Sequence, residues 1–282
     1  MVTRTPFSFE LRADDVVRGD VWRPAVTGTD ATIVVCHGFK GFKDWGFFPY
    51  VCERLAGGVG CETVAFNFTG SGIGEDLQTF TELDRFARNT FSRELEDLGS
   101  VLERISGGSI GGVAVAEATR FGLLGHSRGG AVAILAADRH PEVQALATWA
   151  AVASLDRYGA IAEQIEREGL AYVLNARTGQ QMPLRRDILD DLRANREQLD
   201  VQAAARRLKI PHLVVHGDAD ESVPVADAHA LARAAGRRAR LEVVRGTGHT
   251  LDATHPFREP STALERVVDL TIEHFRRHLR AR

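Results

Sequence analysis

The chain has 282 residues, 44% of them hydrophobic and 26% charged, enough for one large α/β domain or two small ones, with a sizeable core. Its formal net charge of -3 leaves no basic excess to attract a nucleic acid or an anionic membrane, so neither is expected as a partner. The three cysteines, Cys36, Cys52 and Cys61, lack C-x-x-C spacing and signal neither a disulfide framework nor a thiolate metal site.

The first residues contain no apolar core of a leader, and no run approaches about eighteen apolar residues, so a cytoplasmic, unanchored protein is expected. Residues 7–11 and 16–22 alternate as two strands of an antiparallel hairpin with Asp14 and Asp15 near its bend. The pattern then changes to short continuous apolar runs, the mark of strands buried on both faces of a parallel sheet: 31–36, 62–66, 120–124, 145–149, 212–215 and 241–244. Trp45, Phe47, Phe48 and Tyr50, between the first two runs, suit either an apolar substrate pocket or plain burial.

Helical spacing lies between the runs. Leu95, Leu98, Val101, Leu102 and Ile105 share one face, and Leu264, Val268, Thr271, Ile272, Phe275 and Leu279 share another. The alternation predicts a doubly wound, mostly parallel α/β sheet of about eight strands within a single domain spanning 1–282. Residues 154–207 show helical spacing (Leu155, Tyr158, Ile161, Ile165; Leu184, Ile188, Leu192) without a strand, and a small helical cap over the sheet is expected there.

Chemistry concentrates after the strands, where such sheets bind ligands. Gly125, Ser127 and Gly129 give G-x-S-x-G between an apolar run and a helical one, the pattern of a tight turn that lifts a serine hydroxyl out of the sheet. A serine hydroxyl needs a histidine base and a carboxylate behind it. His249 follows the last strand, and Asp218 and Asp220 both follow the one before, in the serine, acid, histidine order expected for this fold class. Asp252 reads as a loop or helix cap, and the Gly70 to Gly74 cluster as a tight loop, since no helix opens there as a dinucleotide site requires. His274 and His278 stand one helical turn apart without an evident third ligand and read as surface residues. The Arg128 side chain has two readings, a contact to an acidic substrate group or a salt bridge within the fold.

Taken together, His37-Gly38-Phe39, the Gly125 to Gly130 turn, the 216–220 loop and the 246–249 loop resemble the α/β-hydrolase superfamily over nearly the whole chain. The H-G-F-x-G loop, the 67–72 stretch and the compact cap are most similar to bacterial cinnamoyl or feruloyl esterase-like members. The resemblance implies Ser127 as nucleophile, His249 as general base and acid, and Asp220 rather than Asp218 as the orienting carboxylate. Backbone N–H groups of Phe39 and Arg128 then suit an oxyanion hole. The expected activity is cofactor-free and metal-free hydrolysis of a small-molecule carboxylic ester through an acyl-enzyme. An aminopeptidase, amide hydrolase or thioesterase with the same triad is the alternative, with Glu163, Glu166 and Glu168 as carboxylates for a substrate amine. A non-catalytic binding protein on this fold is a third reading.

Overall fold

In the computed structural model, which describes residues 1–279, the predicted hairpin is β1 (Thr3–Arg12) and β2 (Asp15–Arg23), paired antiparallel. β3 (Ala31–Cys36) is followed by α1 (Phe48–Leu55), a short π-turn and β4 (Glu62–Asn67). All six residues of β3 and all six of β4 are buried, which is why those runs carry no polar alternation. Next come α2 (Leu83–Ala87), α3 (Phe91–Ser106), the minor strands β5 (Ser109–Ile110) and β6 (Val113–Ala114), and β7 (Arg120–His126). Then follow α4 (Arg128–Arg139), β8 (Val143–Trp149) and the segment over the cleft.

That segment differs from expectation. It opens with α5 (Gly159–Glu168), but residues 170–185 form a hairpin of β9 (Leu170–Asn175) and β10 (Gln180–Arg185). The reason is legible afterwards: Ala171 and Asn175 face inward while Tyr172 and Leu174 are exposed, a two-residue alternation, and Gly179 turns at φ +71°. α6 (Asp187–Ala194) and α7 (Val201–Arg207) complete it, and α7 packs against α4, within the layer flanking the sheet. Last come β11 (His212–Gly217), α8 (Val225–Ala235), β12 (Ala239–Val244) and α9 (Thr262–His278).

The main sheet has eight strands in the order β1-β2-β4-β3-β7-β8-β11-β12, antiparallel through β1, β2 and β4 and parallel thereafter. α1 and α9 pack together on one face, while α3, α4, α7 and α8 cover the other. Phe275 of α9 is fully buried against Gly122 of β7, and the Trp149 indole N–H donates to Thr271 Oγ1 at 3.1 Å, tying α9 to β8. Side-chain caps start α3 (Thr90 accepting from the Arg93 N–H) and α9 (Ser261 accepting from the Leu264 N–H). With β7 central, the loops after β3, β7, β11 and β12 converge at the carboxyl edge of the parallel strands. No described helix is long and apolar enough to cross a membrane.

Candidate active site

Ser127 joins β7 to α4 with φ 57° and ψ −123°, outside the regions open to most side chains, at a cost on the order of 1–3 kcal/mol. It occupies the N-cap position, yet its hydroxyl makes no capping bond and stays available for chemistry. The Ser127 N–H donates to the Trp149 carbonyl at 2.8 Å and its own carbonyl accepts from the Gly130 N–H at 3.0 Å, so neighbouring backbone fixes the turn.

The turn interlocks with residues 37–39. A Cβ at position 129 would lie 2.3 Å from the His37 carbonyl oxygen, and one at position 38 only 2.9 Å from Ser127 Cβ, so both sites need glycine. His37 fixes the loop's orientation. Its Nε2 accepts from the Phe68 N–H at 3.3 Å, which leaves the proton on Nδ1 to donate to the Gly38 carbonyl at 3.0 Å. In a trans peptide the N–H points opposite to the C=O. The Phe39 N–H is therefore turned away from His37, and among the described residues it donates to no protein acceptor. The Arg128 N–H opens α4 and is also free of an intrahelical acceptor.

The acid and the histidine meet as the sequence order suggested. His249 Nδ1 lies 2.8 Å from Asp220 Oδ2. Asp220 Oδ1 accepts from the Ser222 N–H (2.8 Å) and the Val223 N–H (2.9 Å), and His216 Nε2 stands 3.2 Å from Oδ2. Burial opposes ionisation of this carboxyl, but the bonds from His216, His249 and Val223 outweigh it and hold Asp220 below the ordinary carboxylate range. Asp218 instead accepts from the Gly246 N–H at 2.6 Å and ties two loops together, and Asp252 accepts from the Gly248 N–H at 3.4 Å. Ser127 and His249 line one cavity of about 450 Å³, with no hydrogen bond between them among the described residues. Catalytic bonds of this kind often tighten only once substrate is bound.

The sequence reading missed three groups. His126 donates from Nε2 to the His249 carbonyl at 2.9 Å, and His216 donates from Nε2 to the Val223 carbonyl at 2.9 Å while facing Asp220. Glu94 of α3 lies 3.1 Å from the Arg128 guanidinium, which is sandwiched between Phe39 and Phe91; the arginine thus makes the internal salt bridge. Histidines adjoining the glycine motifs at 37, 126 and 216 were the available signal for the first two. Trp45, Phe47 and Phe48 are core residues, and Tyr50 stacks on Phe257. His274 corrects a surface reading: it is 9% exposed, and its Nε2 and the Nδ1 of fully buried His212 lack hydrogen-bond partners. No cluster of three or more described His, Cys, Asp or Glu residues could hold a metal, and the three cysteines are free and buried.

The buried histidines make stability depend on acid. Burial pushes His126 and His212 down to about 3 and His37 and His274 down to about 4, whereas in the unfolded chain each titrates near 6.5. Below pH ~6.5 the unfolded state binds more protons, so stability present above that value is lost as pH falls. Asp97, pushed up to about 6 by burial, works in the opposite sense below that pH. At about 1.36 kcal/mol per proton and pH unit, a net loss on the order of 3–5 kcal/mol is expected between pH ~6.5 and ~5. Urea midpoints at the two pH values measure it; equal midpoints would mean these rings take up protons in the folded state.

A family model described as "Alpha/beta hydrolase family" matches residues 33–269. No curated protein matches the chain significantly. Among solved structures, the esterase domain from a Rhodothermus marinus protein is 20% identical with a TM-score of 0.68, covering 98% of this chain and 99% of that one. A putative hydrolase from Agrobacterium vitis S4 is 17% identical with a TM-score of 0.70, covering 97% and 99%. Est1E from Butyrivibrio proteoclasticus is 19% identical with a TM-score of 0.66, covering 95% and 96%, and has also been solved with ferulic acid bound. At these identities the likeness is one of fold.

Proposed function

Because this chain belongs to the alpha/beta hydrolase family, we propose that it is a serine hydrolase that cleaves carboxylic esters through an acyl-enzyme. The observation that carries the reading is His249 Nδ1 held 2.8 Å from Asp220 on the wall of the cavity that also contains the strained Ser127. With its Nδ1 proton directed to the carboxylate, His249 presents the lone pair of Nε2 as base. Ser127 Oγ attacks the ester carbonyl as its proton passes to Nε2, and the Phe39 and Arg128 amides take the oxyanion. The Nε2 proton then leaves with the alcohol. Water repeats the sequence on the acyl-enzyme and frees the acid.

Apolar walls from Phe91, Leu155, Tyr158, Ile161 and Leu184 suit an aromatic or branched substituent, and an aryl-acyl ester of the hydroxycinnamate type fits that character. An aminopeptidase would need a carboxylate for the substrate amine. Among the described residues none lines the cavity: Glu166 pairs with Arg186 and Arg193, and Glu168 with Arg167.

A fluorophosphonate probe tests the reading. It is expected to attach to Ser127, located by peptide mass, and to stop p-nitrophenyl ester turnover in step with labelling. Full turnover by labelled protein, or no labelling at all, sinks the proposal.

A further inference from the structure

Charge is distributed unevenly around the cavity. Its lining holds four cations, Lys40, Arg128, Arg157 and Arg177, and no carboxylate among the described residues, in a chain whose formal net charge is -3. Two of the four are neutralised from behind the wall, Arg128 by Glu94 at 3.1 Å and Arg157 by Asp227 at 2.6 Å. Lys40 and Arg177 have no carboxylate within salt-bridge range among the described residues.

Both are nevertheless held in place. Lys40 Nζ donates to the Leu174 carbonyl at 2.9 Å, and Arg177 donates to the Lys40 carbonyl with its guanidinium 4.8 Å from the Trp45 ring centre. These bonds leave two ammonium protons and most of the guanidinium fork unused. Asn175 supplies a third donor. It lines the same cavity at 1% exposure, its Oδ1 accepts from the Arg177 N–H at 3.2 Å, and its Nδ2 is left without a partner. A buried amide donor without an acceptor is costly unless a ligand supplies one. Partial burial, reinforced by Arg177, lowers the Lys40 pKa, and partial burial lowers that of Arg177.

We propose that Lys40, Arg177 and Asn175 form an anion subsite in the Ser127 cavity, and that the ester it accepts carries a second, free carboxylate. The inference rests on the esterase reading and names its substrate class. Lys40 follows Phe39 directly, so one loop supplies both an oxyanion donor and a subsite cation, while Arg177 comes from the β9–β10 turn. The competing reading is that these residues only fasten the hairpin to the loop. The hairpin has a separate fastening, from Gln180 Nε2 to the Phe80 carbonyl at 2.9 Å.

The test compares mono-p-nitrophenyl glutarate with p-nitrophenyl butyrate, and the butyrate ester of 4-hydroxybenzoate with phenyl butyrate, placing the carboxylate on the acyl or the alcohol side. Wild type should favour one anionic member by about tenfold or more in kcat/KM, with the advantage shrinking as salt is raised. Arg177→Gln and Lys40→Gln should each cut the anionic-to-neutral ratio several-fold, chiefly through KM. Asn175→Asp, nearly isosteric, replaces the unpartnered amide donor by a carboxylate and should abolish the preference; if the residues only fasten the hairpin, wild type has no anionic preference to lose. Calorimetric binding of monomethyl glutarate to wild type and to the Asn175→Asp variant gives a readout independent of turnover. Hydrolysis of every ester without an anionic preference, or equal binding by the two proteins, overturns the subsite. Absence of hydrolysis of any ester by wild type overturns the esterase reading, and the binding comparison then still decides the subsite.

Discussion

Ser127→Ala should lower kcat on a p-nitrophenyl ester by about 10⁶-fold, the scale seen when a triad nucleophile is removed and only oxyanion donors and binding remain. At about 1.36 kcal/mol per tenfold, that is roughly 8 kcal/mol of transition-state stabilisation. The effect should be confined to chemistry. The serine hydroxyl caps no helix, and alanine keeps the Cβ already accommodated beside Gly38, so the thermal midpoint should stay close to that of wild type. Turnover under single-turnover conditions, with the melting curve alongside, measures both. A variant keeping more than about a hundredth of wild-type kcat would place the nucleophile elsewhere.

Asp220→Asn should cost about 10⁴-fold in kcat, while Asp218→Asn stays within a few-fold. The difference follows from the donors around each carboxylate. Asp220 is surrounded by four: the Ser222 and Val223 amides at Oδ1, and His249 and His216 at Oδ2, the His216 Nε2–H being shared with the Val223 carbonyl. An asparagine has one acceptor oxygen and must turn its NH₂ to one pair. The backbone amides cannot change their protonation, so the NH₂ is forced toward the histidines. His249 then accepts at Nδ1, carries its proton on Nε2 and cannot serve as base. Asp218 accepts from one backbone N–H, which an asparagine oxygen satisfies equally well. Kinetics of the two variants on one ester decide the matter; comparable losses would mean that the acid role does not belong to Asp220 alone.

The sheet was readable because its strands are buried on both faces. β3 and β4 could not hide as loops, since each carries a continuous apolar run through its middle (Ile33 to Cys36, Val64 to Phe66), and the alternation of β1 and β2 marked them as an antiparallel edge. The glycine-framed loops were readable for a related reason: positions 38 and 129 tolerate no side chain, so glycine is dictated by contact with the turn they support. The hairpin at 170–185 was hidden because it is half exposed and short, so its alternation is carried by few residues, among them Tyr172 and Leu174 on the exposed side. Glu94 was hidden differently. It sits on α3 among residues whose spacing predicted a helix, but nothing in that spacing says a carboxylate is buried against Arg128. His126 and His216 belong to the same class, since their value lies in partners distant in sequence.

The strand order also sets which parts of the sheet must be in place before the proposed triad is complete. Ser127 follows the central β7, Asp220 the more peripheral β11, and His249 the outermost β12, whose one neighbour in the sheet is β11. Parallel neighbours form only after a crossover has closed, so bringing His249 to the site takes the β11–β12 crossover in addition to those that set the central strands. A partly assembled sheet can therefore display the elbow and its loose serine while lacking any base to activate it. Under the proposed triad, a chain whose β11–β12 edge has not formed holds Ser127 without its base.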